Sequence, residues 1–259
     1  MTTPNAEPTS SAKDFTGQVC LVTGAARGIG YAISQELIAL GAKVALVDIE
    51  GAAEAAARLG KNAESWTVDV RRRSQVRQCV HDVVEHFGRL DVLVNNAGTA
   101  ARITLETMDD ETWERDIATN LKGTYLFTQA AIYPYMRDQS YGRIVNVSSI
   151  SGIMGGPLSS GEGGGRSGPA YAASKGGIIA FTKWVAKDVG SLGITINSVA
   201  PGPVATPLTA DVNYAMGNQA IKRMGDPEDI SAAVAYLASP RAGFVTGETL
   251  KVCGGSAIG

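Results

Sequence analysis

Short apolar runs that stop at a small or polar residue alternate along this chain with longer stretches whose apolar residues return every three or four positions. The runs at residues 18–23 (QVCLVT), 43–47 (KVALV), 64–68, 91–94, 143–147 (RIVNV), 194–199 (ITINSV) and 249–252 predict seven strands, the first of which, nearly continuously apolar, suits burial on both faces. Helical periodicity fills the intervals at 31–40, 51–59, 74–87, two stretches within 107–136, 171–189 and 226–238. Asp226-Pro227-Glu228-Asp229 has the makeup of a helix start. Strand followed by helix, repeated in this way, predicts one parallel sheet with helices on both faces. Residues 151–168 (SGIMGGPLSSGEGGGRSG) break the alternation; their glycines and serines predict a long mobile loop, an interdomain linker being the rival reading. Residues 209–220 are polar and weakly patterned, which suits a substrate lid within 205–222.

Composition narrows the function classes. With 23 Lys plus Arg against 25 Asp plus Glu the formal charge is −2, and without a basic run nucleic acid is not an expected partner. The apolar runs are far shorter than the ~20 residues of a membrane span. Residues 1–14, rich in Thr, Ser, Pro and Ala, predict a disordered tail and not a targeting signal. The three cysteines, Cys20, Cys79 and Cys253, form no CxxC pair, which fits a reducing, cytoplasmic location. His81 and His86 share one predicted helix without a ligand cluster, so no metal site is expected.

The candidate chemistry lies where elements meet. Gly24, Gly28 and Gly30, with Arg27 and Ile29 between them, follow the first strand and precede a helix; bare backbone and free helix N–H groups there make an anion site for a pyrophosphate. Asp48, followed by Ile49, ends the second strand, where a carboxylate accepts hydrogen bonds from ribose hydroxyls and repels a 2′-phosphate. That favours NAD over NADP, while Arg27 offers a 2′-phosphate a guanidinium and keeps NADP open. Asp69-Val70 ends the third strand, Asn96-Ala97-Gly98 the fourth, and Ser148-Ser149 the fifth. Tyr171 and Lys175, spaced Tyr-x-x-x-Lys on a predicted helix, stand one turn apart on one face, where the ammonium would lower the phenol's pKa and make it an acid/base at neutral pH.

Taken together, TGAARGIG, Asp48, Asp69-Val70, NNAG at 95–98, Asn120, the serine pair, YAASK at 171–175 and PGPVATP at 201–207 resemble the short-chain dehydrogenase/reductase family, in that family's order and over nearly the whole chain. The resemblance implies a single-domain α/β fold of Rossmann type, a doubly wound parallel sheet of about seven strands, with one catalytic domain from residue 15 to the end. It implies Tyr171 as acid/base, Lys175 as the residue that lowers its pKa and holds the nicotinamide ribose, Ser149 as donor to the reacting oxygen and Asn120 as the holder of a relay water. It further implies Gly24, Gly28 and Gly30 at the pyrophosphate, Asp48 at the ribose, Asp69 and Val70 at the adenine, and Asn96, Ala97 and Gly98 under the adenosine. Pro201, Gly202, Val204 and Thr206 would hold the nicotinamide, the last two clamping its carboxamide.

Two departures stand out. Ser149 and Tyr171 lie 22 positions apart, more than in many members, and the usual VDGG is Val252-Cys253-Gly254-Gly255. The expectation is an NAD-dependent oxidoreductase of a secondary alcohol or its ketone, assembled as a homotetramer through two long helices and the C-terminal segment. An NADP-dependent carbonyl or 3-oxoacyl reductase is the nearer alternative, and a non-catalytic dinucleotide-binding protein the more distant one. Chain position puts Ala100, Ala101, Arg102, Met154, Leu158 and residues 209–216 near the substrate; Arg166 reads as a solvated loop arginine.

Overall fold

The computed structural model describes residues 14–160 and 165–258, so residues 1–13 of the expected tail and residues 161–164 of the expected loop lie outside the described part. Seven parallel strands form one sheet: β1 (Val19–Thr23), β2 (Lys43–Asp48), β3 (Ala63–Thr67), β4 (Val92–Asn95), β5 (Gly142–Val147), β7 (Ile194–Pro201) and β9 (Thr249–Val252). They are ordered β3-β2-β1-β4-β5-β7-β9. The order reverses between β1 and β4, which opens a crevice at the carboxyl ends of those strands.

The period of two along each strand divides the core. Leu21, Val47, Leu93, Ile144 and Ile196 face one layer, built from α3 (Arg73–Phe87), α5 (Gly123–Ala131) and α8 (Pro169–Val189). Cys20, Val22, Leu46, Val94, Val145 and Val199 face the other, built from α1 (Gly28–Ala39), α2 (Ala52–Leu59) and α9 (Pro227–Ala238). Within α9, Ile230, Val234 and Leu237 are all but fully buried, each burial contributing about 1.5–3 kcal/mol. Asp226 and Asp229 form a reciprocal capping box at its start, with Pro227 at the first position, as the sequence pattern predicts.

Several elements depart from the sequence reading. Helix α1 begins at Gly28, three residues before the apolar pattern, because the glycine turn itself supplies the first helical turn. The stretch within 107–136 is helical on both sides of a kink at Tyr133 (φ −113°, ψ 112°): α4 (Asp110–Asp116), a π-helical segment (Ile117–Lys122) and α5 lead up to it, and the segment Ile132–Met136 carries it into the short α6 (Arg137–Gln139). The expected loop at 151–168 carries structure: α7 (Ser151–Met154) opens it, and β6 (Ser159–Ser160) pairs antiparallel with β8 (Asn213–Tyr214). Ala215 N–H also donates to Leu158 O at 3.1 Å, so backbone pairing ties the glycine-rich segment to the expected lid. The periodicity of such short, polar strands is invisible in sequence.

Candidate active site

A cavity of about 490 Å³ opens at the sheet's switch point. Every candidate catalytic and cofactor-binding residue lines it except Gly30 and Asn120, which are buried behind its wall.

At one end lies the glycine turn. Gly24 and Gly28 have φ of +63° and +56°, values that side chains rarely adopt. A Cβ on Gly30 would sit 2.1 Å from Gly24 O, and one on Gly24 would sit 2.8 Å from Ala97 Cα, so only glycine permits this packing. Asn96 closes the arrangement, its Nδ2 donating to Thr23 O at 3.0 Å and to Gly24 O at 2.9 Å. Arg27 at the N-cap of α1 makes no side-chain cap and no acidic residue enters the first turn, so the helix offers its N–H groups to an anion. Asp48 accepts from Ala26 N–H at 3.0 Å and Ile49 N–H at 2.7 Å, which leaves lone pairs on both oxygens for a diol. Bare backbone, an uncapped helix start and a carboxylate with spare acceptors fit the pyrophosphate and ribose of a dinucleotide.

Other candidates at this end are held by the protein itself. Asp69 takes a bidentate contact from Arg71, both bonds 2.8 Å, and that pairing holds its carboxyl below the usual range. Arg27 lies 3.4 Å from Glu50, both side chains 71% exposed, a geometry that contributes little to stability.

At the other end Tyr171, Ser149 and Lys175 meet. Ser149 stands beside the Tyr171 hydroxyl, close enough to offset part of the rise in its pKa, and its Oγ accepts from Ser151 N–H at 3.1 Å. Ser148 is committed elsewhere, to Ser198 Oγ at 2.6 Å and Val199 O at 3.1 Å, so of the two serines Ser149 faces the tyrosine. The 22 positions between Ser149 and Tyr171 are bridged by a close helix contact: a Cβ on Gly152 would lie 2.4 Å from Gly176 N and 2.5 Å from Lys175 C. That contact between α7 and α8 holds the serine beside the tyrosine whatever the length of the intervening segment.

The expected lowering of the Tyr171 pKa is corrected here. Burial pushes the phenol up to about 12, and Ser149 and the charge of Arg102 offset only part of that rise. The ring keeps some surface open to the cavity, and water there works against the rise. Lys175 Nζ lies 5.6 Å from the Tyr171 ring centroid and donates to Val147 O at 2.8 Å, so its charge is directed at the strand end and away from the hydroxyl. Burial pushes the lysine itself down to about 8.

Two further roles read from sequence are narrowed by geometry. Asn120, in the π-helical segment and fully buried, accepts from Thr99 N–H at 2.8 Å and donates to Thr99 O and Ser174 Oγ, both at 2.9 Å. Its amide donors are therefore spent on the protein, although its Oδ1 approaches to 3.1 Å from the place a Gly98 side chain would occupy, with Lys175 Nζ at 3.6 Å. Thr206 N–H donates to Thr209 Oγ1 at 3.0 Å, and Thr209 Oγ1 donates to Val204 O at 2.6 Å, so the expected carboxamide clamp is braced by Thr209.

Ala100, Arg102, Thr209 and Tyr214 line the cavity; Met154 and Leu158 are exposed and do not. Ser151, Pro157, Ser167, Arg115 and Thr119 line it without having been legible as site residues. Two of these serines hydrogen-bond each other at 3.0 Å, a pairing across 16 positions that no local pattern reveals.

A family model described as "Enoyl-(Acyl carrier protein) reductase" matches residues 24–257, which spans this whole arrangement. The chain belongs to the short-chain dehydrogenase/reductase family. Among relatives of this short-chain dehydrogenase/reductase, the 3-oxoacyl-acyl-carrier-protein reductase FabG of Vibrio harveyi is 39% identical over 93% of this chain and 98% of its own length. Those of Thermotoga maritima and Escherichia coli are each 38% identical over the same shares. The crystal structure of gox2181 superposes with a TM-score of 0.87 at 29% identity, covering 95% of this chain and 98% of that one. The protein is accordingly an oxidoreductase of a family that binds a nicotinamide dinucleotide. Among the described residues no helix is long and apolar enough to cross a membrane, and no three of His, Cys, Asp and Glu gather as a metal site.

Proposed function

We propose that the protein interconverts a secondary alcohol and its ketone with NAD, and that Tyr171 exchanges the proton of the reacting oxygen. The observation that carries this reading is the meeting of Tyr171, Ser149 and Lys175 in one cavity with the glycine turn. The dinucleotide, when bound, supplies the site that takes or gives hydrogen with its electron pair at carbon. Gly24, Gly28 and Ile29 would receive its pyrophosphate, Asp48 its adenosine ribose, and Pro201, Gly202, Val204 and Thr206 its nicotinamide half. Ser149 donates to the reacting oxygen and polarises it. Tyr171 takes the hydroxyl proton in oxidation and returns it in reduction. Lys175, a buried cation at the end of β5, has donors left for ribose hydroxyls beyond the one spent on Val147. Asn120 holds Thr99, and with it the backbone on which Gly98 sits.

NAD is preferred to NADP in this reading because a 2′-phosphate would meet the Asp48 carboxylate, and the arginines lining that end are engaged, Arg27 facing Glu50 and Arg71 paired with Asp69. The names of the relatives favour a second reading, reduction of a 3-oxoacyl group with NADP. Following reduced nicotinamide with both dinucleotides, secondary alcohols, ketones and acetoacetyl-coenzyme A separates the two. The proposal expects turnover with NAD that falls at least about a thousandfold in Tyr171→Phe with NAD binding retained. NADP would bind about tenfold or more weakly, and Asp48→Ser would narrow that gap. Full turnover in Tyr171→Phe would sink the mechanism; NADP-dependent turnover confined to the thioester would favour the second reading.

A further inference from the structure

Four arginines line the cavity, Arg27, Arg71, Arg102 and Arg115, and their partners differ. Arg27 faces Glu50, Arg71 is bidentate to Asp69, and Arg115 lies 3.0 Å from Asp116. Arg102 is the exception: its Nη1 donates to Ser159 Oγ at 2.9 Å and its Nη2 to the Tyr214 hydroxyl, both neutral acceptors. Its guanidinium carbon stands 5.1 Å from the Tyr214 ring centroid. Among the described residues it has no carboxylate within 4.0 Å.

Position makes this exception meaningful. Ala101 O, one residue before Arg102, accepts from Gly168 N–H at 2.7 Å, and Gly168 caps the helix that carries Tyr171. The charge of Arg102 is felt at the Tyr171 hydroxyl. The two lining carboxylates, Asp48 and Asp69, lie at the adenosine end, and Asp116 is fully buried and satisfied by Arg115, Thr99 and Ala101. A guanidinium stays charged under all ordinary conditions, and a half-buried one without a counter-ion is stabilised by any oxyanion that reaches it.

Resting on the alcohol/ketone reading, we infer that the substrate carries a carboxylate, and that Arg102, presented by Tyr214 and Ser159, binds it. The substrate class is then a short hydroxy acid and its keto acid. The carboxylate takes no part in the redox balance: the carbinol C–H and O–H bonds break, C=O forms, the proton goes to Tyr171 and the hydrogen with its electron pair to the dinucleotide. Because Ser159 and Tyr214 belong to β6 and β8, the paired strands also set the distance from the acid-binding group to the reacting carbon.

The test compares hydroxy acids of three to six carbons with their primary amides, which keep the shape and remove the charge, and with phosphorylated alcohols of similar length. Wild type, Arg102→Gln and Arg102→Lys are each assayed, and the melting shift caused by malonate without dinucleotide is read in parallel. The wild type is expected to use an acid at least about thirtyfold better than its amide, and Arg102→Gln to lose about a hundredfold in kcat/KM on the acid, mainly through KM, and at least about tenfold less than that on the amide, whose smaller loss reads the effect of the charge on Tyr171. Arg102→Lys should recover part of that loss, and malonate should raise the melting temperature of the wild type but not of Arg102→Gln. Equal use of acid and amide, an equal loss on both in Arg102→Gln, or a preference for the phosphorylated alcohols would overturn the inference. Failure of every alcohol and ketone, charged or neutral, would instead remove the function on which it rests, and the malonate shift would still report whether Arg102 binds a carboxylate.

Discussion

Lys175 is the residue whose chemistry and stability pull in opposite directions. Its pKa falls from 10.5 to about 8 because burial penalises the ammonium. Between those values the unfolded chain binds the proton and the folded chain does not, so stability rises with pH through that window. Below pH 8 the folded protein holds a desolvated charge that costs on the order of 3 kcal/mol. Lys175→Met removes that cost and leaves Val147 O without its donor, worth about 1–3 kcal/mol in the other direction. The variant is therefore expected to be inactive yet to melt within a few degrees of the wild type at pH 7. From pH 8 to pH 10 the wild type should gain stability relative to it; a difference that does not move with pH would contradict the account. Tyr171, raised to about 12, adds the opposite slope only above pH 10, where the unfolded chain loses the phenolic proton first. For turnover the same value means that alcohol oxidation, which needs the phenolate, should climb with pH across 7–10, while ketone reduction, which needs the phenol, should not. A flat oxidation profile over that range, with chemistry shown to limit the rate, would remove Tyr171 as the base.

At the scale of elements, the contact between α7 and α8 positions the chemistry. Gly152 approaches Gly176 and Lys175 through backbone atoms that cannot yield as a flexible side chain would. Gly152→Ala is expected to cost about 1–3 kcal/mol by overpacking and to lower kcat by an order of magnitude or more, because it separates Ser149 from Tyr171. Gly190→Ala is the control: nothing lies within 4 Å of its Cβ position and its φ is −58°, so melting and kcat should stay near wild type. Equal effects from the two substitutions would show that the helix contact does not set the catalytic distance. The pairing of β6 with β8 acts at the same scale, joining two segments more than 50 positions apart into the wall that carries Arg102's partners.

For the whole molecule, the sheet order fixes which loops share a crevice, and we propose assembly beyond one chain. Trp184, 68% exposed on α8, is the anchor expected of a tetramer interface built from the long helices. Sedimentation of the wild type is expected to give a tetramer, and Trp184→Glu a smaller species, since burying an unpaired carboxylate in an apolar contact is costly. A wild type that sediments as a monomer would end this expectation.

What the amino-acid order by itself determined is whatever rests on local geometry. Largely apolar runs marked the inner strands β1, β2, β4, β5 and β7, since a strand covered on both faces has little polar side to show, while the edge strands β3 and β9 are more polar and partly exposed. Asp226 and Pro227 marked a helix start because capping is settled within one turn. The glycine turn, Asp48 and the Tyr-x-x-x-Lys spacing placed both ends of the site for the same reason. What only the tertiary structure decided depends on atoms distant in sequence. Lys175 was expected to lower the tyrosine's pKa by adjacency, yet burial, a property of the assembled core, outweighs it and sends the lysine's donor to Val147. The choice of Ser149 over Ser148 becomes physical only when Ser198 on a neighbouring strand takes the other hydroxyl. Chain position alone put Arg102 near the substrate, but its two hydroxyl partners, with no carboxylate among the described residues, come only from folding, because charge compensation is decided by neighbours in space.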